Sequence, residues 1–284
     1  MNRMLFIALQ RLTPQHLLSR AAGLLASTTN PTIKNLFIRW FVQRYQVDMS
    51  QALVEDPCAY ANFNAFFTRA LKPGVRVVDS DPDAMVCPAD GAVSQLGKIE
   101  SGRVFQAKGQ TFSVVELLGG DVEAAGAFAN GSFITVYLSP RDYHRVHMPF
   151  EGILTKMTYV PGDLFSVNTV TAEEVPRLFA RNERVVCHFD TSAGPMVVVL
   201  VGAMIVASIE TVWAGLVAPL RRKVMTTDYT PKQIHLNKGD ELGRFLLGST
   251  AIVLFPENAV SWHHELAATS PVQMGQSIGR LVKG

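Results

Sequence analysis

The spacing of apolar positions changes along this chain of 284 residues. In residues 1–47, apolar side chains recur at intervals of three and four, which places them on one face of an α-helix. Pro14 and Pro31 divide this region, and Thr13 and Asn30 stand before them as candidate helix caps. We therefore predict three amphipathic helices at the N-terminus.

From about residue 70 onward the pattern changes to short β-type runs separated by Gly, Pro and Asn. The runs that we predict as strands are 92–99, 104–107, 132–138, 153–160, 185–189, 196–200, 204–210 and 251–255. Many short strands with glycine-marked turns favour an antiparallel sandwich or barrel. The predicted fold class is α+β, with an N-terminal helical region, residues 1–68, and a mainly antiparallel β-rich domain, residues 69–284.

Charge is distributed unevenly along the chain, although the formal net charge is only +2. Residues 1–47 contain six basic residues and neither Asp nor Glu, which gives this region alone +6. Basic amphipathic helices of this kind lie flat on anionic membranes. Two other interpretations fit: helices packed on the rest of the protein, or an arginine-rich import presequence. Since no apolar run reaches the ~20 residues of a spanning helix, we expect a peripheral protein.

Three further features have plain structural interpretations. The widely spaced Cys58, Cys87 and Cys187 are typical of a reducing compartment and predict neither a disulfide framework nor a zinc site. His188 lies in a Val-rich run, which indicates a core or edge histidine. Residues 220–238 have the composition of a surface loop.

The segment Leu247-Gly248-Ser249-Thr250 offers a distinct chemistry. If the Ser249 hydroxyl attacks the Gly248 carbonyl, the amide becomes an ester, and loss of the Ser249 α-proton then cleaves it by β-elimination. The new N-terminus passes through dehydroalanine to a pyruvoyl group, a ketone that forms a Schiff base with an amine and accepts electrons. Glycine suits the first position because it tolerates a strained backbone. An ordinary turn before an apolar strand remains the alternative.

Such self-cleavage needs a base, and two other segments contain candidates. Asp90 lies in a Pro-Ala-Asp-Gly segment, and His144 and His147 lie in a segment flanked by two prolines, which predict a structured loop after a strand. Serine becomes nucleophilic when an imidazole takes its proton, and a carboxylate stabilises the charged imidazole. The sequence thus offers Asp90, His147 and Ser249 as a triad.

Longer segments of the chain resemble the bacterial phosphatidylserine decarboxylases of the membrane-associated, proteobacterial type. They follow the order of that family and cover most of the chain from about residue 60 onward: residues 88–91, 94–97, 106–109, 137–149, 159–168, 179–184, 208–215 and 243–250. Similar strings of this length in the right order are specific for a family.

The resemblance implies a proenzyme that cleaves itself between Gly248 and Ser249. The products would be a β chain, residues 1–248, and an α chain, residues 249–284, which carries the pyruvoyl cofactor. Asp90, His147 and Ser249 match the family's self-cleavage triad, and His144 matches its histidine for decarboxylation. The implied reaction forms a Schiff base between phosphatidylserine and the pyruvoyl group, releases CO₂ and yields phosphatidylethanolamine for phospholipid synthesis.

Further expectations accompany the resemblance. The protein is expected on the cytoplasmic side of the inner membrane, at its anionic surface, and as a homodimer, with no nucleic acid or metal bound. We predict that His144 is the general acid that protonates the carbon after CO₂ leaves. The substrate phosphate needs hydrogen-bond donors, and Ser166 and nearby backbone amides are candidates, although a serine in such a loop is also typical of a turn.

Two other functional classes remain as alternatives. A membrane-associated serine hydrolase would use Asp90, His147 and Ser249 on an ester substrate without cutting itself. Its usual Gly-x-Ser-x-Gly elbow is absent around Ser249. A noncatalytic docking module would need neither His144 nor His147 and would remain a single chain.

Overall fold

The molecule is an α+β protein in which all named strands pair antiparallel. The computed structural model describes residues 10, 13, 15–204, 208–219, 223–246 and 250–282. The described helices are α1 (Gln15–Ser27), α2 (Pro31–Tyr45), α3 (Phe63–Phe67), α4 (Val114–Leu117), α5 (Val122–Gly126), α6 (Thr169–Glu174) and α7 (Leu178–Arg181). Short 3-10 helices span Pro57–Ala59 and Thr230–Lys232.

The strands begin with a group that leads up to the two histidines of the sequence motif. These are β1 (Ala84–Val86), β2 (Gly91–Lys98), β3 (Arg103–Ala107), β4 (Gln110–Ser113), β5 (Ser132–Tyr137) and β6 (Arg145–His147). The middle group is β7 (Gly152–Val160), β8 (Arg184–Thr191), β9 (Gly194–Val201), β10 (Ile209–Thr211), β11 (Gly215–Ala218), β12 (Met225–Asp228) and β13 (His235–Leu236). The last group is β14 (Glu241–Phe245), β15 (Thr250–Phe255), β16 (Val260–Trp262), β17 (Pro271–Val272) and β18 (Ser277–Leu281).

A nine-stranded sheet forms the centre of the fold. Its strand order is β12-β7-β8-β9-β15-β5-β2-β17, and β13 also pairs with β7. The two ends of this order, β12 and β17, do not pair with each other, so the described sheet is open rather than closed into a barrel. The α+β class with mainly antiparallel strands is confirmed, and of the two predicted architectures the barrel is wrong.

Both faces of the central sheet are covered. On one face, Val198 and Leu200 of β9 share a core with Val146 and Phe245 of a second sheet, β11-β10-β14-β6, and with the small sheet β1-β18-β16. On the other face, Val197 and its neighbours pack on α4–α7 and the β3-β4 hairpin. The predicted sandwich of two sheets is therefore found on the first face only, since helices and a hairpin cover the second. Because successive side chains of a strand point to opposite faces and both faces are buried here, a strand such as β9 is apolar without interruption.

The N-terminal helices form a separate apolar cluster. The side chain of Asn30 accepts hydrogen bonds from the amides of Thr32 at 3.1 Å and Ile33 at 3.3 Å, which confirms the predicted cap of α2. The cluster joins α1, α2 and α3 through Ala26, Ile38, Phe41, Val47, Phe63, Phe66 and Phe67. Most of the first predicted helix lies outside the described residues. Among the helices that are described, none is long and apolar enough to cross a membrane.

Three local predictions differ from the structure. Residues 145–147 form the short strand β6 rather than a loop, because β14 offers them a hydrogen-bonded partner. In the predicted strand 204–210, Met204 lies in a turn, residues 205–207 are outside the described residues, and β10 begins at Ile209. Residues 220–238 include β12 and β13, which pair with β7. In the first and third cases pairing with a distant strand overrides a loop-like composition.

Candidate active site

Three central strands bring the sequence candidates to one edge of the sheet. Tyr137, the last residue of β5, pairs with Ala92 of β2 on one side and with Thr250 of β15 on the other. Because β2 and β15 both run antiparallel to β5, they begin at the same edge, where β5 ends. Asp90 precedes β2 directly, and the histidine segment follows β5. The chain thus enters β15 at the edge that carries both.

Asp90 is buried and held from several directions. The guanidinium of Arg76 donates from Nε to both carboxylate oxygens, at 2.9 and 3.1 Å, and from Nη2 as well. The backbone amide of Met274 donates to Oδ1 at 2.9 Å. Next to it, a Cβ atom on Gly91 would lie 2.1 Å from the carbonyl oxygen of Tyr137, so only glycine permits this approach. The carboxylate is therefore fixed in place beside the end of β5.

His147 is oriented by a backbone carbonyl and a phenol. Its Nδ1 lies 2.8 Å from the carbonyl oxygen of Gly239, which can only accept, so Nδ1 carries the proton. Its Nε2 therefore has the lone pair and accepts from the Tyr143 hydroxyl at 3.0 Å. Burial lowers the pKa of His147, and the Gly239 carbonyl opposes this shift. The imidazole is thus held as a neutral base.

The expected contact between the carboxylate and the imidazole takes a different form. Among the described contacts, Asp90 makes no hydrogen bond to His147, because the Gly239 carbonyl already occupies Nδ1. The charges of Glu241 and, to a smaller extent, Asp90 nevertheless raise the pKa of His147, in opposition to burial. Asp90 therefore stabilises a charged His147 through space, while Arg76 holds the carboxylate itself.

His144 is fully buried, with no exposed surface. Its Nδ1 donates to the carbonyl oxygen of Asp142 at 2.8 Å, and the Phe67 ring packs on the imidazole with 3.9 Å between ring centroids. Its Nε2 has no hydrogen-bond partner within the described part of the chain. Burial lowers the pKa of His144 to about 3, so that the imidazole is neutral at pH 7 and presents an unoccupied acceptor.

The chain passes from His144 toward the predicted cleavage site. The amide of Phe245, in β14, donates to the His144 carbonyl at 3.0 Å. After Leu246 the next described residue is Thr250, which begins β15 and is buried. Gly248 and Ser249 lie outside the described residues. The structure therefore gives only the positions of Leu246 and Thr250, on either side of the predicted cleavage site.

The structure gives Ser166 an intramolecular partner. Its amide and its hydroxyl both donate to Oε1 of Gln10, at 2.9 and 3.1 Å. Nearby, the amide of Leu164 donates to Oε1 of Gln15 at 2.7 Å. Gln10 and Gln15 therefore already accept hydrogen bonds from the loop donors that were predicted to bind the substrate phosphate.

Several residues at this edge were not singled out as site residues from the sequence. Tyr143, Arg76 and Gly239 supply the partners of His147 and Asp90, and Gln10 supplies that of Ser166. Tyr143 could have been found, since it lies in the same segment as the histidines. The other three lie far from their partners in sequence and carry no local signal. No cluster of three or more metal-ligating side chains occurs among the described residues.

Comparison with known proteins identifies the class of protein. A family model described as phosphatidylserine decarboxylase matches residues 63–280, and a second model, described as PSD, matches residues 5–46. The chain therefore belongs to the phosphatidylserine decarboxylase family, which is a family of carboxy-lyases. The family expected from the sequence motifs is confirmed.

Individual relatives are similar over nearly the whole chain. A phosphatidylserine decarboxylase proenzyme of Pseudomonas fluorescens strain SBW25 is 65% identical over 281 residues, which cover 98% of each chain. A protein of the same name from Pseudomonas putida strain F1 is 63% identical over 288 residues and 100% of each chain. That of Stutzerimonas stutzeri strain A1501 is 61% identical and covers 99% of this chain and 95% of its own.

Proposed function

We propose that this protein is a phosphatidylserine decarboxylase made as a proenzyme, which cleaves itself between Gly248 and Ser249 into a β chain, 1–248, and an α chain, 249–284. The observation that carries the proposal is the row Ala92-Tyr137-Thr250 across three strands. It brings the start of β15 to the edge where Asp90 and both histidines lie. The family match and the proenzyme relatives support the same reading.

In self-cleavage, His147 is the base for Ser249. Its Nδ1 is anchored on the Gly239 carbonyl, so Nε2 is the nitrogen that takes the hydroxyl proton. Tyr143 occupies Nε2 at 3.0 Å in the structure, and its hydroxyl moves aside when Ser249 is deprotonated. Asp90 favours the charged imidazole that results, since its carboxylate raises the pKa of His147.

The site fits a pyruvoyl group at the new N-terminus of the α chain. When present, this group supplies a ketone for the substrate amine and takes up the electron pair released with CO₂. Thr250, the residue next to it, is fully buried at the start of β15. His144, which lies beside Phe245, has a buried Nε2 without a described partner. Such an orphaned acceptor is costly unless a bound group uses it.

His144 moves a proton in the decarboxylation step. Because its pKa is lowered to about 3, the imidazole is neutral at pH 7 and must gain a proton before it can donate one. The ammonium group of phosphatidylserine must lose a proton to solvent before its nitrogen can attack a carbonyl, and the negative charges of the bound head group raise the pKa of His144 so that Nε2 takes up a proton. His144 then delivers it to the carbon that has lost CO₂, which completes the general-acid role.

Two chemical tests separate this function from the alternatives. An intact mass spectrum of the purified protein is expected to give two chains that meet at Gly248 and Ser249. The smaller is expected to be one ammonia lighter than the plain serine peptide, and the protein to release CO₂ from phosphatidylserine. Ser249→Ala is expected to remain one inactive chain. A single chain that hydrolyses esters would support the serine hydrolase, and a single chain without activity the docking module.

The helical region 1–68 brings the enzyme to its lipid substrate as a peripheral protein on the cytoplasmic face of the inner membrane. Helices α1 and α2 carry exposed apolar side chains, among them Leu17 at 66%, Leu24 at 75% and Leu36 at 71% exposure. These, with the +6 charge of residues 1–47, suit an anionic bilayer surface.

Vesicle flotation tests this membrane contact. The protein is expected to float with vesicles that contain phosphatidylglycerol and to do so less with phosphatidylcholine alone. The double variant Leu24→Gln and Leu36→Gln is expected to lose flotation, whereas Val122→Gln, at an equally exposed position of α5, is expected to keep it. Equal flotation of both variants would contradict a role for the helices. Light scattering of the purified protein without vesicles measures its molar mass in solution and so tests the predicted homodimer.

A further inference from the structure

Arg69 follows α3 and is buried to an extent unusual for arginine, with 4% of its surface exposed. Its Nη2 donates to the carbonyl oxygens of Arg141 at 3.1 Å and Asp142 at 3.4 Å. The guanidinium carbon lies 5.6 Å from the centre of the Phe66 ring. These contacts orient the side chain, but none of them supplies a negative charge.

The remaining nitrogens of Arg69 have no acceptor. Both Nε and Nη1 are buried without a hydrogen-bond partner in the described structure. An arginine has five N–H donors and no acceptor, and the three hydrogens on these two atoms are left over. Burial lowers the pKa of Arg69, yet guanidinium remains charged at any physiological pH. A buried cation in this state is destabilising unless an anion pairs with it.

The nearby carboxylates are already engaged elsewhere. Asp90 pairs with Arg76, and Asp48 accepts from Ser50 and Gln51. Oδ2 of Asp142 accepts from the Ser139 amide at 2.7 Å. No ion pair within 4.0 Å joins Arg69 to any of the described acids. Among the described residues, Arg69 therefore has no carboxylate within ion-pair distance, although burial, which lowers its pKa, is opposed by the more distant charges of Asp90, Asp142 and Asp48.

A cavity of about 380 Å³ gives a ligand room to approach. Three arginines, Arg69, Arg76 and Arg141, and three aspartates, Asp48, Asp90 and Asp142, line it together with Tyr143. The cavity thus lies between Arg69, the Arg76–Asp90 pair and Tyr143, which contacts the self-cleavage base His147. It is large enough for a charged head group, though not for a whole phospholipid.

Arg69 also lies next to the histidine of the decarboxylation step. The Asp142 carbonyl that accepts from Arg69 accepts from Nδ1 of His144 as well. The positive charge of Arg69 contributes to the lowered pKa of His144, after burial. An anion that neutralised Arg69 would therefore help His144 to hold the proton it has to deliver.

We propose that Arg69, which shares the Asp142 carbonyl with His144, binds an oxyanion of the phosphatidylserine head group within this cavity. The inference rests on the proposed function and adds a substrate-binding residue to it. Carboxylate and phosphodiester oxygens share the chemistry that a buried guanidinium recognises, and the head group carries both. The two sources differ in one respect, since phosphatidylethanolamine keeps the phosphodiester and lacks the carboxylate.

Steady-state kinetics of the matured enzyme with dihexanoyl phosphatidylserine test the proposal. Arg69→Met is expected to self-cleave and to raise KM about tenfold or more, the loss expected for a charge-assisted hydrogen bond. Arg69→Lys, which keeps the charge but not the planar donor set, is expected to recover part of that loss. Arg103→Met is the control, because Arg103 is exposed in β3 and the described hydrogen bonds of its side chain go to Thr111 alone.

Inhibition by dihexanoyl phosphatidylethanolamine identifies the oxyanion. If Arg69→Met weakens inhibition as much as it raises KM, the phosphodiester is the ligand; if inhibition is unchanged while KM rises, it is the carboxylate. Both results support the proposal. A KM equal to wild type in both Arg69 variants overturns it, as does a fall in kcat alone together with a lower Tm, which marks a structural role.

Two further readouts keep the test decisive. If Arg69→Met does not fold, Arg69→Lys decides, with a KM at least about threefold above wild type expected. The rise in Tm on adding dihexanoyl phosphatidylethanolamine reports binding without turnover. A wild-type enzyme that releases no CO₂ from phosphatidylserine would defeat the proposed function, whereas an active wild type with unaltered Arg69 variants would defeat only this inference.

Discussion

The hydroxyl of Tyr143 lies 3.0 Å from Nε2 of His147, so the one nitrogen of this imidazole that carries a lone pair is already occupied. The other nitrogen donates to the Gly239 carbonyl. His147 is therefore held in one orientation, and its basic nitrogen already has a hydrogen-bond partner. For His147 to take a proton from Ser249, the phenol has to leave Nε2.

Tyr143→Phe is therefore expected to speed self-cleavage rather than to stop it. The ring of His147 stays anchored on Gly239, and loss of one neutral hydrogen bond makes Nε2 available, for a gain of up to about fivefold in rate. A pulse-chase experiment that follows the intact chain and its two products measures the rate. Tyr229→Phe, at another buried tyrosine, is the control. Accumulation of intact chain, as expected for His147→Ala, would instead make Tyr143 a proton relay.

His144→Ala is expected to cleave normally and to lose decarboxylation by about 10²- to 10⁴-fold, the usual contribution of a general acid or base. Intact mass gives the first result and CO₂ release the second. His188→Ala, at a second buried histidine, is expected to retain both activities. If the His144 variant fails to cleave while the His188 variant cleaves, the division of roles between His144 and His147 is wrong.

Gln10→Ala is expected to lower KM for phosphatidylserine about fivefold, because it frees the Ser166 hydroxyl and amide from an internal acceptor. Ser166→Ala is expected to raise KM. Gln15→Ala serves as the control, because it loses the bond from the Leu164 amide and the bond that Gln15 Nε2 donates to the Gln10 carbonyl, but leaves the Gln10 side chain on Ser166. Unchanged KM values in the Gln10 and Ser166 variants would reduce Ser166 to a turn residue, and a higher KM in Gln10→Ala would show that Gln10 supports the loop.

The stability of the folded state is expected to fall as the pH drops from 6.5 toward 4. Burial lowers the pKa of His188 to about 4, so in this window the unfolded chain binds a proton that the folded protein refuses. Urea unfolding of the uncleaved Ser249→Ala protein at several pH values measures the slope of the free energy of unfolding against pH. His188→Leu is expected to reduce it by at most about 1.4 kcal/mol per pH unit. His264→Leu, at a fully exposed side chain, is expected to leave it unchanged.

Much of the fold was predictable from local patterns. The strands β2, β5, β7, β8, β9 and β15 were predicted to within a few residues, because their apolar runs are long and bounded by turn residues. The short strands β6, β13 and β17 were not, since each consists of two or three residues whose strand geometry comes from a partner elsewhere in the chain. The helices that cover the second face of the sheet are too short to show a helical period.

The sequence by itself determined the family and the α+β class, and it singled out the candidate site residues: a carboxylate at Asp90, imidazoles at His144 and His147, and the Gly248-Ser249 bond. These follow from local strings and from strands whose ends share an edge. Only the tertiary structure decided that Gly239 rather than Asp90 orients His147, that His144 is buried and neutral, and that Arg69 has two buried nitrogens without a partner among the described residues. The physical reason is that partners and burial arise from contacts between residues distant in sequence, and local patterns carry no record of these contacts.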